Sequence, residues 1–442
     1  MIDAQNPAHK CSQRDRCEDL RSMAVDAAHN IVQSCNRNFH VANISSTGIK
    51  FAHCNNPDSP LTVEIVSTLA AIDPAQWNRL SGGNPFLRHE FLHALHETDC
   101  ASERSGWSPR YLAAFDDSGG RHLSGAMPLY VKSHSRGEYV FDWAWADAYQ
   151  RHGLEYYPKL LCAVPFTPVT GPRILAESDS VVEALAAHVL NVARDSGASS
   201  LHCLFPTEDQ AQRFSGKGMM IRHGVQFHWV NEGDTNFDEY LARMNHAKRK
   251  KIRQERRKVI EAGITFRWLE GTAITEADWA FFSRCYTRTY REHHNTPYLN
   301  EAFFQRIGKT MPENLLLIVA ERNGAPIAAS FNVRGYMHGG RLYGRYWGAL
   351  EHHSMLHFEA CYYQTIEYCL ARGIAVFEGG AQGEHKMARG LLPVQTSSLH
   401  WLAHPQFAEA VEAFLAREKK GIAHYIDELH EHSPFVAATH TP

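Results

Sequence analysis

A glycine-rich segment near the C-terminus holds residue types that serve in acid–base chemistry and anion binding. It reads FEGGAQGEHKMARG over residues 377–390. Carboxylates and neutral imidazoles accept protons, whereas lysine and arginine side chains bind carboxylates, phosphates and developing negative charge. The segment therefore predicts a functional site in which Glu384 or His385 is the base. Lys386 and Arg389 are the predicted anion holders.

The glycines of this segment allow the backbone to approach a ligand closely. Gly379, Gly380 and Gly383 follow an apolar strand pattern. Gln382 lies beside Gly383 and is predicted to contact the substrate. Glu378, at the end of the strand, has two open interpretations, since it is either a catalytic group or a structural partner of a neighbouring base.

The elements that must position this segment occur in two similar series, which predicts an internal repeat. In the first series, two strands within 110–131 precede a third strand at 137–143. In the second series, two strands within 315–335 precede a third strand at 340–347. Glycine-containing turn signals separate the first two strands of each series, and they predict β-hairpins.

Both series continue with a helix, a strand and a closing strand. The helical patterns lie at 181–197 and 356–373, the following strands at 200–205 and 374–380, and the closing strands at 225–230 and 397–402. Each series therefore has the order hairpin, strand, helix, strand.

The composition is that of a globular protein. The chain has 442 residues, a formal charge of −3 and 44% hydrophobic residues, which excludes disorder over most of its length and a globally basic nucleic-acid binder. It has no apolar run of the roughly 18 residues that a membrane span needs. Ten irregularly spaced cysteines without a CxxC motif favour free thiols, and hence a cytoplasmic protein.

Patterning along the chain predicts four parts. They are a poorly ordered N-terminal extension (1–57), a first domain (58–231) with an insertion near 144–176, a second domain (232–404) carrying the active site, and a C-terminal helical tail (405–442). The insertion is rich in aromatic residues and proline. It is either a packed loop over the sheet or one wall of a binding cleft between the two domains.

A basic run lies within a helical pattern at 236–263. From His246 to Lys258 it has eight basic residues and one acid, Glu255. The run is either a solvated helix face or a surface for RNA phosphates, whose binding would weaken steeply with salt. The candidate phosphate contacts are Lys248, Arg249, Lys251 and Arg256.

Five sequence blocks resemble the FemAB-like N-acyltransferases, which have two fused GNAT-like domains. The blocks are NPFLRHEFLHALHE (84–97), YYPKLLCAVPFTPVTGPRIL (156–175), QFHWVN (226–231), HFEACYYQTIEYC (357–369) and FEGGAQGEHKMARGLLP (377–393). The resemblance covers about residues 80–440. It implies an α+β fold of tandem GNAT-like domains, with mixed sheets flanked by helices.

The resemblance also implies a reaction, namely transfer of an acyl or aminoacyl group to an amine of a small-molecule, peptide or cell-wall-type acceptor. Residues of the second domain would then flank the acceptor cleft: Tyr343, Arg345, Glu359 and Tyr362. The alternative interpretation is that these four residues belong to the core, as an aromatic stripe with a buried Arg–Glu pair. The reaction needs neither a metal nor a permanently bound cofactor.

The family resemblance does not identify the acyl donor. GNAT enzymes bind coenzyme A through an R/Q-x-x-G-x-G/A loop, and the corresponding segment here, GALEHHSML at 348–356, departs from that pattern. The remaining donors are acyl-CoA, aminoacyl-tRNA bound by the basic helix 248–258, or a carrier protein. Two further alternatives are a non-catalytic binding protein for an amino-acid-like or peptidoglycan-type ligand and an RNA-associated factor.

Overall fold

The computed structural model describes residues 61–337, 339–381 and 383–436, so the extension predicted at 1–57 lies outside the described residues. The strands are β1 (Leu61–Val66), β2 (Trp107–Pro109), β3 (Tyr111–Asp116), β4 (His122–Met127), β5 (Leu129–Lys132), β6 (Lys159–Cys162), β7 (Leu175–Ala176), β8 (Ser200–Leu204), β9 (Met220–Val230), β10 (Ile264–Glu270), β11 (Leu315–Arg322), β12 (Ala325–Gly335), β13 (Arg341–Ala349), β14 (Val376–Ala381) and β15 (Leu392–Leu402).

Helices connect and cover these strands. They are α1 (Pro74–Leu80), α2 (His89–Glu97), α3 (Trp143–Arg151), α4 (Asp179–Asp195), α5 (Glu208–Gly216), α6 (Phe237–Ala242), α7 (His246–Glu261), α8 (Glu276–Glu292), α9 (Glu301–Thr310), α10 (Leu356–Phe358, the π-helical turn Glu359–Tyr363 and Gln364–Arg372) and α11 (Pro405–Glu431). A 3₁₀ turn spans Glu384–Arg389. Across the described ranges, no helix has the length and apolar character needed to cross a bilayer.

The strands form two sheets. An 11-stranded mixed sheet has the order β10-β11-β12-β13-β14-β9-β15-β8-β6-β5-β2, and a four-stranded sheet has the order β1-β3-β4-β7. Parallel pairing occurs in the large sheet between β13 and β14 and between β6 and β8. Parallel neighbours need a crossover connection, and α10 and α4 supply it. The predicted α+β class with mixed sheets flanked by helices is confirmed.

The closing strands are exchanged between the two halves of the large sheet. The β9 strand follows the first half in sequence but pairs with β14 of the second half. The β15 strand follows the second half but pairs with β8 of the first. Since β9 and β15 also pair with each other, the sheet is continuous across the domain boundary predicted at 231–232. That boundary stays a prediction.

Several predicted elements are confirmed, most clearly the second hairpin. Its strands β11 and β12 meet at Asn323 and Gly324, both with positive φ (53° and 75°), as a tight hairpin turn requires. The predicted tail helix is α11. The helical pattern at 236–263 is divided into α6 and α7, and Met244 in the break forms an isolated β-bridge with Phe435.

The third strand predicted at 137–143 is wrong. Residues 137–142 form no strand, and α3 begins at Trp143. The corresponding strand is β6, inside the predicted insertion. The physical reason is a buried ionic contact, since the Lys159 ammonium at the start of β6 donates to Glu138 (2.8 Å) and to Ser135 (2.7 Å). These bonds hold the segment in an irregular path that its strand-like composition does not predict.

Candidate active site

The site lies where strands β13 and β14 stop pairing. Their parallel ladder has three residue pairs and ends at Tyr343 and Glu378. Both strands continue beyond this point, β13 paired with β12 and β14 paired with β9. No ladder pair joins them further on among the residues that the structure describes. Beyond this point the backbone groups on the facing edges of the two strands are therefore not paired with each other in a ladder.

Glu378 is the buried acid at this ladder end. Its side chain is 4% exposed, and its Oε1 accepts a hydrogen bond from Arg341 at 2.9 Å. Its Oε2 accepts no hydrogen bond within the described part of the chain, and His228 Nε2 lies 3.7 Å away. Burial, partly offset by Arg341 and Arg345, raises the pKa of Glu378 to about 7. This carboxyl group can therefore exchange a proton near neutral pH.

Two ionisable neighbours of Glu378 are held in their uncharged forms. Burial lowers the pKa of His228 to about 3, so its imidazole is neutral. Burial raises the pKa of Tyr343 above its usual value, so its hydroxyl stays protonated. Gln226, two residues before His228 on β9, donates to the Pro168 carbonyl at 2.7 Å. We call Glu378, Tyr343, His228 and Gln226 the carboxylate pocket.

A β-bulge directs two side chains of β13 to the same side of the sheet. Asn332 pairs with Gly344 and Phe331 with Tyr346, so Arg345 is the extra residue. Arg345 Nη2 (2.6 Å) and the Tyr346 hydroxyl (3.1 Å) both donate to the Phe166 carbonyl. Phe166 belongs to the insertion predicted at 144–176. That insertion therefore contacts the second half next to the carboxylate pocket, and whether it is a packed loop or a cleft wall stays a prediction.

Lys386 lies on the opposite side of the sheet from Glu378. Side chains alternate along a strand, and a Cβ at Gly379, next to Glu378, would lie 3.4 Å from Lys386 Cδ. Lys386 is 3% exposed, and its ammonium donates to the Gly380 carbonyl at 2.8 Å. Burial lowers the pKa of Lys386 to about 7. Two groups that titrate near neutrality thus flank the Gly379–Gly380 backbone from opposite sides.

The two predicted bases of the 3₁₀ turn have different surroundings. The His385 Nε2 lies 3.0 Å from the Tyr362 hydroxyl. Desolvation by the surrounding protein, together with the positive charges of Arg389 and Lys386, lowers the pKa of His385 to about 4. Glu384 is exposed and accepts a hydrogen bond from the Tyr425 hydroxyl of α11 at 2.8 Å. Its carboxylate therefore contacts the tail helix.

The predicted anion holder Arg389 is engaged inside the protein. Its guanidinium is 3.0 Å from the buried Glu255 carboxylate and 3.4 Å from the centre of the Phe358 ring. It also donates to the His385 carbonyl at 2.8 Å. Arg389 thus anchors the 3₁₀ turn. The sequence did carry a signal for its partner, because Glu255 is the single acid in the basic run.

The π-helical turn of α10 holds two further predicted site residues, Glu359 and Tyr362. Glu359 is 4% exposed and pairs with Arg256 at 2.9 Å. Arg256 also pairs with Glu367 at 2.8 Å. The guanidinium of Arg256 therefore faces the protein interior and is not presented to RNA.

The other predicted RNA contacts lie at or near the surface. Lys251 is exposed, while Lys248 and Arg249 are half-buried. Arg249 donates to the Ala242 carbonyl at 3.2 Å. Gln382 lies outside the described residues.

Sequence reasoning missed His228, Gln226 and Arg341 as neighbours of Glu378. His228 and Gln226 lie in the QFHWVN block, which was recognised as a family block without roles for its residues. Their proximity to Glu378 follows from the exchange of β9 into the second half, in which Glu378 pairs with His228. No local sequence pattern predicts that exchange of strands.

Comparison with known proteins supports the resemblance seen in the sequence. A family model described as FemAB-like, peptidoglycan biosynthesis/recognition, matches residues 68–437. The sheet topology agrees, with a hairpin, a strand, a helix and a parallel strand in the second half. The predicted fold of tandem GNAT-like domains is confirmed. No curated protein matches the chain.

Solved structures with a similar course of the chain are distant in sequence. L-PGS from Bacillus licheniformis shares 11% identity over 78% of this chain and 97% of that chain, with a TM-score of 0.46. A tandem GNAT protein from the clavulanic acid biosynthesis pathway shares 13% identity over 78% of this chain and 99% of that chain, with a TM-score of 0.39. A function does not follow from similarity at this level.

Proposed function

Because the chain belongs to the FemAB-like family, we propose that it is a transferase that moves an acyl or aminoacyl group from an activated donor to an amine. The acceptor is a small molecule or a cell-wall-type compound. Glu378 is the general base of this reaction. The observation that carries the proposal is the buried Glu378 carboxyl group at the end of the β13–β14 ladder, with its Oε2 accepting no hydrogen bond from the described residues.

The chemistry matches the protonation states in the carboxylate pocket. An aliphatic amine is mostly protonated at neutral pH and must lose a proton before it attacks. Glu378, whose pKa is about 7, accepts that proton. The amine nitrogen then forms a bond to the acyl carbon, and the bond from that carbon to the leaving sulfur or oxygen breaks. The protonated Tyr343 hydroxyl, on the adjacent strand, can supply a proton to the leaving group, and the second proton that the nitrogen loses on becoming an amide restores this hydroxyl.

The open strand edges suit the tetrahedral intermediate. Its oxyanion needs hydrogen-bond donors, and backbone N–H groups are frequent donors in acyl transfer. Beyond Tyr343 and Glu378, the facing edges of β13 and β14 form no ladder with each other among the described residues. Lys386 holds the Gly380 carbonyl at this edge and thereby fixes the local backbone path.

The donor is acyl-CoA or aminoacyl-tRNA in this proposal, with a carrier protein as the third choice. The surface of α7 supports the tRNA option, because its side chains Lys250, Lys251, Arg253, Arg257 and Lys258 are exposed. Binding of RNA through these contacts would weaken steeply between low and high salt. Binding of coenzyme A would instead raise the melting temperature of the protein.

The test is a transfer assay with the full chain. Acetyl-CoA, a longer acyl-CoA and a pool of aminoacyl-tRNAs are each offered with a mixture of amines, and products are identified by mass spectrometry. The expected result is a new amide with at least one donor. Ligand binding without product under every donor would contradict the proposal and favour a non-catalytic binding protein.

A further inference from the structure

Arg345 presents a guanidinium group beside the carboxylate pocket. One of its nitrogens, Nη2, donates to the Phe166 carbonyl at 2.6 Å, and the group lies 5.7 Å from the centre of the Phe86 ring. No carboxylate within residues 61–337, 339–381 and 383–436 forms an ion pair with Arg345. A guanidinium has five N–H donors, so this one retains donors for a carboxylate of a ligand.

Arg345 and Glu378 lie on the same face of the sheet but are not bonded to each other. Tyr343 is the ladder partner of Glu378, and Arg345 is the bulge residue two positions after Tyr343, so its Cα lies at most about 7 Å further along the strand. Glu378 instead bonds Arg341 through Oε1, and its Oε2 accepts no hydrogen bond from the described residues. An acidic and a basic group thus lie on one face of the sheet without a hydrogen bond between them, and the charge of Arg345 still lowers the pKa of Glu378.

An α-amino acid carries groups that are complementary to both side chains. The nitrogen and the carboxylate oxygens of an α-amino acid are about 3 Å apart, because one carbon separates the two groups. Two hydrogen bonds of about 2.9 Å extend this span to roughly 8–9 Å. A ligand with an amine at one end and a carboxylate at the other can therefore bridge an acid and a guanidinium up to this distance apart on one face of the sheet.

A small apolar cavity lies next to the Arg345 side chain. Its volume is about 10 Å³, and its lining includes Phe86, Phe91, Phe303 and Phe331. A cavity of this size accommodates about one water-sized group. The aromatic lining favours an apolar group, so a methyl group such as the side chain of alanine fits best.

We propose that the acceptor is a free α-amino acid with a small side chain. Glu378 takes the amine, Arg345 binds the α-carboxylate, and the aromatic cavity receives the side chain. This inference rests on the proposed function and adds the substrate class to it. The product would be an N-acyl or N-aminoacyl amino acid.

The test compares ligands and variants in pairs. Calorimetry of the full chain measures binding of D-alanine, L-alanine and the two alaninamides, which lack the carboxylate. Wild type should bind one alanine enantiomer about 10- to 100-fold more tightly than its amide, as expected for a hydrogen-bonded charge pair. Arg345→Gln should remove this preference. Arg322→Gln, at the far end of β11, is the matched control and should keep it.

Two controls guard against trivial results. Arg345→Lys retains the positive charge and should retain part of the preference for alanine over alaninamide. The melting temperature of each variant shows whether it folds. Equal weakening of alanine and alaninamide by Arg345→Gln would overturn the inference, and so would failure of wild type to bind either alanine.

The outcome separates this inference from the proposed function. Transfer to amines without a carboxylate, unchanged by Arg345→Gln, would overturn the amino-acid acceptor and leave the transferase standing. A carboxylate-dependent preference that Arg345→Gln abolishes, with no product under any donor, would support the amino-acid site and contradict the transferase.

Discussion

The two parallel ladders of the large sheet have the same length but end in different side chains. The β6–β8 ladder ends at the buried thiols Cys162 and Cys203, whereas the β13–β14 ladder ends at Tyr343 and Glu378. Burial raises the pKa of Cys162 well above its usual value, so its thiol stays protonated. Burial brings the pKa of Glu378 to about 7 instead. Of the two ladders, the second ends in a group that exchanges protons at neutral pH.

The charged residues near the first ladder form ion pairs with each other. Lys159 donates to Glu138 at 2.8 Å and also pairs with Asp142, and all three are buried. Lys132 lies 3.8 Å from the centre of the Trp107 ring. Paired and dehydrated charges of this kind maintain a fold and offer little to a ligand. The comparison therefore indicates a structural role for the charges near the first ladder, and the second ladder is where we propose the reaction.

The largest stability effect should come from breaking the ionic contacts of the first ladder. Lys159→Met removes the cation that donates to the buried Glu138 and Asp142 carboxyl groups, so we expect the free energy of unfolding to fall by about 3–5 kcal/mol. Urea denaturation measures this change. Lys309→Met is the control, because its pair with Glu276 is exposed and should contribute less than about 1 kcal/mol. Equal losses in both variants would contradict the structural role of Lys159.

A pH-dependent effect should distinguish the second ladder. The pKa of Glu378 is higher in the folded chain than in the unfolded chain, so the folded chain keeps this proton between about pH 4.5 and 7 while the unfolded chain loses it. This group therefore lowers stability as the pH rises through that range. Glu378→Gln removes the dependence, and its stability relative to wild type should rise by up to about 3 kcal/mol from pH 4.5 to 8.

Urea denaturation of both proteins at several pH values checks this prediction. When the free energy of unfolding is plotted against pH, the curves for Glu378→Gln and wild type should have the same slope below about pH 4.5 and should diverge above it. A constant difference between Glu378→Gln and wild type across the whole range would show that the Glu378 pKa is not raised.

The smallest effect should come from the counterpart of Glu378 in the first ladder. Cys203→Ala removes one buried sulfur and should reduce the free energy of unfolding by about 1–2 kcal/mol. The transfer rate per folded molecule should be unchanged, because the Cys203 thiol contacts no reacting group in this account. A loss of transfer without a loss of stability would mean that the first ladder also takes part in the reaction.

The sequence was informative where the structure depends on local pattern. The second hairpin, the helix α10 and the tail helix all follow from periodicity and turn signals, while the functional role of the segment 377–390 stays a prediction. The strand predicted at 137–143 failed because its aromatic and β-branched residues suit a strand, yet a buried ionic contact from Lys159 holds the segment otherwise. Such a contact joins positions 21 residues apart and leaves no local signature.

Within the site, residue types were easier to predict than partners. Glu378, Tyr343 and Arg345 were recognised as candidates, but their relation depends on the length of the parallel ladder and on a bulge in β13. The prediction of Glu384 as the base followed from its place beside glycines. Its contact with Tyr425 depends on how α11 packs, which the sequence of the turn does not encode.

The most direct test of the central claim compares two carboxylates of one segment. The transfer rate is measured for Glu378→Gln and for Glu384→Gln under the donor and acceptor that give product with wild type, with melting temperatures recorded for both. The account predicts a loss of about 10²- to 10⁴-fold for Glu378→Gln and a rate near that of wild type for Glu384→Gln. A normal rate for Glu378→Gln together with a large loss for Glu384→Gln would contradict it and move the reaction to the 3₁₀ turn.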